Sequence, residues 1–348
     1  MKTLKKAAIL AAAVLCAVPA MPCSRVVFRG DSTDVVVVGR TLDWRTPIPT
    51  NIYVMPSGMQ RQSMPQGPRY EWTSKYASVL AVSYDGGVTE GMNDQGLVMN
   101  GLFCHDSEYK IAARGSDMKV MSLAVLVSFF LDNFATVDEA EAWLRTNEFG
   151  INGQTFDGGT VSLIHWALTD RSGKTLIMEY MDGNLNLYAS RDYQVLTNDP
   201  AFPDMLAISN YWNKDVGGMN MLPGTVRSSD RFVRGTYFIN HQPSTGVGFA
   251  QAYTQMATLM DNLSVPAGYE IPGRPNLSMT QWRSISDLHG LRYYFKFADS
   301  LGSFYIDMNG LLLNPGDPVL KLDTTDHADF FGCVNDRLKR SEPFKPMW

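Results

Sequence analysis

Only an N-terminal cysteine carries a thiol and a free α-amine within one residue, and Cys23 is placed to become such a residue. It stands just beyond a short apolar segment, opens the run Cys23-Ser24-Arg25, and is followed by Gly39-Arg40-Thr41-Leu42-Asp43-Trp44. Freed at its nitrogen, it would supply both the attacking sulfur and the base that activates it, which is the chemistry of amide hydrolysis through a thioester. A free thiol titrates at about 8.5 and is only a few per cent thiolate at neutral pH, so a neighbouring cation helps. Arg40 is the candidate for that cation. The α-amine, ordinarily at about 7.7 to 8.0, must be held where it can accept the thiol proton. Asp43, three residues beyond Arg40, can hold it.

What precedes Cys23 reads as an address. Lys2, Lys5 and Lys6 form a positive start, residues 7–18 an apolar stretch, and Val18-Pro19-Ala20 a small-residue cleavage signal. The apolar stretch falls short of the roughly 20 residues a spanning helix needs. Export to the periplasm or medium is therefore expected, without a stable membrane span. A lipoprotein is disfavoured because neither Cys16 nor Cys23 follows a small residue. Residues 1–22 are read as signal peptide plus a short pro-segment, and residues 23–348 as a single domain. Met21-Pro22 must also leave, and attack of the Cys23 thiol on its own preceding peptide bond is one route.

Composition narrows the partners. Loss of the three leader lysines moves the formal charge of the 348-residue chain from −5 to about −8, and no long Lys or Arg run remains, so nucleic acid is excluded as a partner. Three cysteines survive export: Cys23, Cys104 and Cys333. Either Cys104 and Cys333 form a disulfide and Cys23 stays free, or both are buried free thiols. The five histidines show no ligand-like spacing and there is no Cys-x-x-Cys, which argues against zinc; no Gly-x-Ser-x-Gly elbow is present. His165, beside Trp166 in an apolar run, reads as a hydrogen-bonded core histidine.

The elements that would position Cys23 follow from periodicity and turn residues. Residues 25–29 and 35–38 form a hairpin around Gly30-Asp31-Ser32-Thr33-Asp34, so the nucleophile begins a strand. Strands are expected at 77–84 and 97–102, then a helix over 121–134 and another opened by the capping box Thr136-Val137-Asp138-Glu139. A meander follows at 161–168, 175–180, 184–188 and 194–196, then helices over 229–240 and 247–263, then strands at 281–285, 293–297 and 304–308. Strand groups alternating with helix pairs fit an α+β fold of two stacked antiparallel sheets flanked by helices, not single βαβ alternation. The Met- and aromatic-rich segments 55–64 and 211–221 are candidates to line an acyl pocket, with core packing the competing reading.

Taken in order, these residues resemble the choloylglycine hydrolase family, which includes bile salt hydrolases and penicillin V acylases. The resemblance rests on Cys23-Ser24-Arg25, Gly39 to Trp44, Gly91-Met92-Asn93 with Gly101-Leu102-Phe103, Ile164-His165-Trp166, Leu196-Thr197-Asn198-Asp199-Pro200, Asp230-Arg231-Phe232 and Thr280-Gln281-Trp282. It implies an N-terminal nucleophile hydrolase: a four-layer αββα sandwich that cuts linear amides without metal or organic cofactor. It further implies an oxyanion hole from the Asn198 side chain and the backbone N–H of Phe103, a catalytic arginine at Arg231, and a homotetramer. In many members an asparagine stands where this chain has Phe103, so the side-chain contact there differs. The substrate is a small-molecule amide with an apolar acyl group. Conjugated bile salts, releasing glycine or taurine, are the first expectation; penicillin V or an N-acyl homoserine lactone is the alternative, and a secreted binding module on the same fold is the non-enzymatic one.

Overall fold

The structure, a computed structural model, describes residues 23–31, 34–156, 159–268 and 278–348. Readings that fall on the leader, including Met21-Pro22, lie outside the described residues.

The chain enters through β1 (Cys23–Arg29), which pairs antiparallel along its whole length with β2 (Val36–Trp44) so that Cys23 stands opposite Leu42 and Arg25 opposite Arg40. On its other edge β1 meets the short strand Val195–Leu196, and β2 meets Met279–Asp287. Arg292–Phe297, Phe304–Asp307 and Gly332–Cys333 complete a sheet of seven strands. A second sheet of nine strands contains Val98–Phe103, flanked by Gly87–Asn93 and Ile164–Thr169.

Alternation along β2 explains the layering, because successive side chains point to opposite faces. Val36, Val38, Leu42 and Trp44 join the core between the two sheets with Val98, Phe103 and Trp282. Val37 points outward, into the core shared with α4 (Ser228–His241) and α5 (Phe249–Leu263). The outer face of the second sheet carries α1 (Leu123–Asn133) and α2 (Val137–Thr146). The result is the αββα order expected from the strand and helix groups. Gly39 has no side chain because α5 leaves no room: a Cβ there would lie 2.4 Å from Met256 Sδ.

Several expected elements shift or gain neighbours. Half of the capping box forms: Thr136 Oγ1 accepts from Glu139 N at 3.2 Å, while the Glu139 carboxylate reaches Ala135 N and not the cap residue itself. The strands Thr50–Met55 and Gly87–Asn93 and the helix α3 (Phe202–Asn210) are additions to the sequence-based list. Cys104 is buried and Cys333 exposed, both as free thiols, so neither expected arrangement holds. No helix among the described residues is long and apolar enough to cross a membrane.

Between the sheets lies a buried polar network. Glu90 accepts from Tyr293 OH at 2.5 Å, from Asn100 Nδ2 at 3.1 Å and from Ser284 Oγ, and stands 3.2 Å from Arg40 Nη1. Every group facing Glu90 donates, so only a carboxylate satisfies them all. Glu90→Gln, which presents an amide N–H to those donors and leaves Arg40 unpaired, is expected to destabilise the fold by about 3–5 kcal/mol. An unchanged urea midpoint in that variant would contradict this.

Candidate active site

β1 brings Cys23 to the end of the seven-stranded sheet, where three distant segments converge on it. Its nitrogen donates to Asn198 Oδ1 at 2.6 Å, and its carbonyl accepts from Arg231 Nη1 at 2.5 Å. The same Arg231 nitrogen donates to Ser24 Oγ at 2.6 Å, while Nη2 donates to Asn198 Oδ1 at 2.7 Å. An arginine can only donate, so it fixes which atom of the Asn198 amide is the oxygen. Nδ2 then faces the Phe103 carbonyl at 2.7 Å, and its second hydrogen remains for another acceptor.

Phe103 presents its backbone to the same spot. Ile164, opposite it on the neighbouring strand, donates its N–H to Tyr109 OH at 2.5 Å, and Cys104 N donates to Leu163 O at 2.8 Å. Phe103 therefore occupies a position that exchanges no ladder bonds with Ile164, and its N–H and C=O both face the Asn198 side. That leaves two N–H groups, one from the Asn198 side chain and one from the Phe103 backbone, on the side where the Asn198 amide meets both Phe103 and the Cys23 nitrogen.

Charge in the site departs from the sequence-based assignment in two ways. Arg40 lines the same cavity as Cys23, yet its guanidinium is spent on Glu90, on the Gly101 carbonyl at 2.9 Å, and against the Trp282 ring at 4.5 Å. The cation in hydrogen-bond contact with Cys23 is Arg231, whose own pKa is lowered by burial to about 10, so it stays charged at neutral pH. Asp43, expected to hold the Cys23 nitrogen, instead accepts from Thr280 Oγ1 at 2.5 Å and Thr41 Oγ1 at 3.1 Å. Thr41 in turn accepts from Ser24 N at 3.1 Å, so the carboxylate acts on β1 one residue beyond the nucleophile. Burial raises the Asp43 pKa to about 6, against the pull of Arg231, Thr280, Thr41 and Arg40.

Residues not assigned from sequence hold the segment that carries Asn198. His165 is completely buried, with Nδ1 at 2.8 Å from Glu179 and Nε2 at 2.7 Å from the carbonyl of Thr197. Glu179 also accepts from Phe202 N at 3.0 Å, and Ser228 Oγ accepts from Asn198 N at 2.8 Å. The segment is thus pinned before, at and after Asn198. Burial lowers the His165 pKa, but Cys104 and Glu179 outweigh it and hold it well above the ordinary value. Cys104, His165 and Glu179 also have metal-ligating atoms within 4.8 Å of one another. With both imidazole nitrogens and the carboxylate already engaged, they read as a structural core.

The cavity beside Cys23 has a volume of about 130 Å³ and is mainly apolar. Its aromatic wall runs from Phe103 to Trp44 (5.5 Å between ring centroids), on to Phe156 (5.0 Å) and then to Tyr84 (6.4 Å). Neither segment 55–64 nor segment 211–221 lines it; Met55 is buried in the core under α1.

A sequence profile described as linear amide C–N hydrolases, choloylglycine hydrolase family, matches residues 23–321. The chain belongs to that family. As a choloylglycine hydrolase family member it is 33% identical over 357 residues to a penicillin V acylase from Pectobacterium atrosepticum, covering 97% of this chain and 95% of the relative. Among solved structures, penicillin V acylase from Agrobacterium tumefaciens superposes with a TM-score of 0.84 at 37% identity, covering 93% of this chain and 99% of that one. A bile salt hydrolase/transferase from Bifidobacterium longum is 31% identical over 132 residues, 32% of this chain and 40% of the relative. A conjugated bile acid hydrolase from Clostridium perfringens shares the fold, with a TM-score of 0.70 at 19% identity, covering 85% of this chain and 95% of that one. The chain is therefore a linear amide C–N hydrolase with the N-terminal nucleophile fold.

Proposed function

We propose that the chain is exported, matures to begin at Cys23, and hydrolyses amides whose acyl group is compact and aromatic, as in penicillin V, ahead of conjugated bile salts. The observation that carries this is the cavity: about 130 Å³ of aromatic-walled space beside the thiol. A dry cavity of roughly 150 Å³ takes one benzene ring. A steroid of four fused rings exceeds that volume, which supports ranking penicillin V ahead of the bile salts that came first from the sequence. The near full-length likeness to two penicillin V acylases supports the same choice.

In this reading the Cys23 nitrogen, once free of Pro22, takes the thiol proton while sulfur attacks the substrate carbonyl. The Asn198 side-chain N–H and the Phe103 backbone N–H receive the oxyanion. The amine then passes its proton to the leaving nitrogen, and the amide C–N bond breaks to leave a thioester on Cys23. Water, giving a proton to the same amine, releases the acid and restores the thiol. Arg231 orients Cys23 and Asn198 together, and the buried Asp43 carboxylate supports the positively charged amine.

The test is kcat/KM for penicillin V, glycocholate, taurocholate and a long-chain acyl homoserine lactone, measured on protein whose intact mass begins at Cys23, with Cys23→Ser as control. Penicillin V is expected to be turned over best. A higher value on either bile salt would overturn the substrate assignment. No turnover of any amide by the correctly processed chain would favour a binding module.

A further inference from the structure

Beyond Phe156, where Tyr84 ends the aromatic wall, the cavity is lined by a residue far along the sequence. Met347 lines it beside Tyr84 and Gly87, although no strand or helix carries it there. The segment 341–348 is moored by Ser341 N to the Val319 carbonyl at 2.9 Å, by the buried Phe344 ring against Tyr53 at 5.9 Å, and by Met347 N to the Gly86 carbonyl at 2.9 Å. Gly86 is shaped to receive it: a Cβ at that position would lie 2.6 Å from Met347 Cγ. The next residue, Trp348, is exposed.

The turn that Met347 rests on is unusual in its own right. Tyr84 and Asp85 both have left-handed backbones, with φ of 54° and 51°, and Gly86 N closes the turn onto the Ser83 carbonyl at 3.0 Å. A bulky residue in that region is strained and persists only where its surroundings hold it. Here Asp85 is the anchor: Oδ1 accepts from Asn51 Nδ2 at 2.9 Å and from Tyr53 OH at 3.1 Å, and Oδ2 from Lys321 Nζ at 2.7 Å. Tyr53 thus ties the turn to the segment that carries Met347. Tyr84 stands 6.4 Å from the Phe156 ring and ends the wall.

We propose that Met347 is a specificity-determining residue that sets the length of acyl group the cavity admits. This deepens the compact-acyl reading and rests on it. An acyl chain that starts at the thioester carbonyl carbon bonded to Cys23 Sγ and follows Phe103, Trp44 and Phe156 reaches the Met347 thioether beside Tyr84. A flexible, polarizable side chain suits that place, because it packs against a flat ring yet blocks a longer tail.

The experiment compares the parent with Met347→Ala, Met347→Phe and Met347→Leu, all processed to Cys23, on anilides of phenoxyacetic, butanoic and octanoic acid. The quantity read is the octanoyl to phenoxyacetyl ratio of kcat/KM. Met347→Ala is expected to raise it about tenfold, the discrimination that one or two methylene groups give in an apolar pocket. Met347→Phe is expected to lower it, and Met347→Leu to keep the parent value. Opposite shifts in the two size variants cannot come from general loosening, and a fall in the ratio for Met347→Phe alone already excludes it. The same ratio in the parent and in every folded size variant would overturn the assignment of Met347. A parent that prefers octanoyl or bile salt amides to phenoxyacetyl would instead sink the compact-acyl reading, whatever the variants do.

Discussion

Asn198→Ala is expected to lower kcat by about 10²–10³-fold or more, the cost of removing one oxyanion donor. The loss should reach the upper end because the same amide does three things at once. Its Nδ2 bonds the Phe103 carbonyl and leaves one hydrogen for the substrate, while its Oδ1 receives both the Cys23 nitrogen and Arg231. Alanine frees the amine to rotate away from the thiol and leaves a buried guanidinium N–H without an acceptor. Asn198→Asp separates these roles, since it keeps the acceptor oxygen but loses the donor. It should be as inactive as the alanine variant while keeping more of the parent's thermal stability. Steady-state kinetics on penicillin V check this; a variant within about tenfold of the parent, with only KM altered, would place the oxyanion elsewhere.

Asp43→Asn is expected to cut kcat/KM by about 10²-fold or more and to stabilise the fold at the same time. The sign follows from the carboxyl's shift from 3.8 to about 6, caused first by burial. The folded state binds the proton more tightly than the unfolded state. The favourable contribution is therefore fully present below pH 3.8 and is lost as pH rises through about 6. Above that, the charged form costs about 3 kcal/mol at 1.36 kcal/mol per unit. Asparagine mimics the protonated form and escapes the cost. Its unfolding midpoint should exceed the parent's at pH 7.5, with the gap closing toward pH 4. The parent's kcat/KM should fall as pH drops through about 6, where the carboxylate that supports the charged amine is neutralised. A less stable Asp43→Asn variant at pH 7.5 would mean that the Arg231 attraction outweighs burial.

Much of this site could be read in the sequence because its first half is local. The hairpin of β1 and β2 shows as two β-rich runs around a polar turn, and that pairing alone sets Arg40, Leu42 and Asp43 near Cys23. The strand groups and helix pairs likewise announced two sheets with helices outside them. What escaped depends on partners far along the chain. Arg40 looked like a free cation because Glu90 lies in a strand, Gly87–Asn93, whose two glycines and buried polar residues disguise it. The amine holder was assigned to Asp43 by proximity, whereas Asn198 arrives from 175 residues away. The helix α3 hides behind Pro203 and a narrow buried stripe of Phe202, Met205 and Ser209. His165 read as core, which it is, but spacing gave no sign that it and Glu179 pin the segment around Asn198. Met347 carried no signal, since a methionine in an irregular, proline-flanked stretch is ordinary.

All of this chemistry rests on Cys23 being both the first residue and the attacking atom. The direct measurement is intact and peptide mass spectrometry of the exported protein, mixed with penicillin V and acid-quenched within its turnover time. A chain beginning at Cys23, with a phenoxyacetyl group on that residue that is absent in Cys23→Ser, is the expected result. Turnover by a chain that still carries Met21-Pro22, or an acyl group found on another residue, would contradict it.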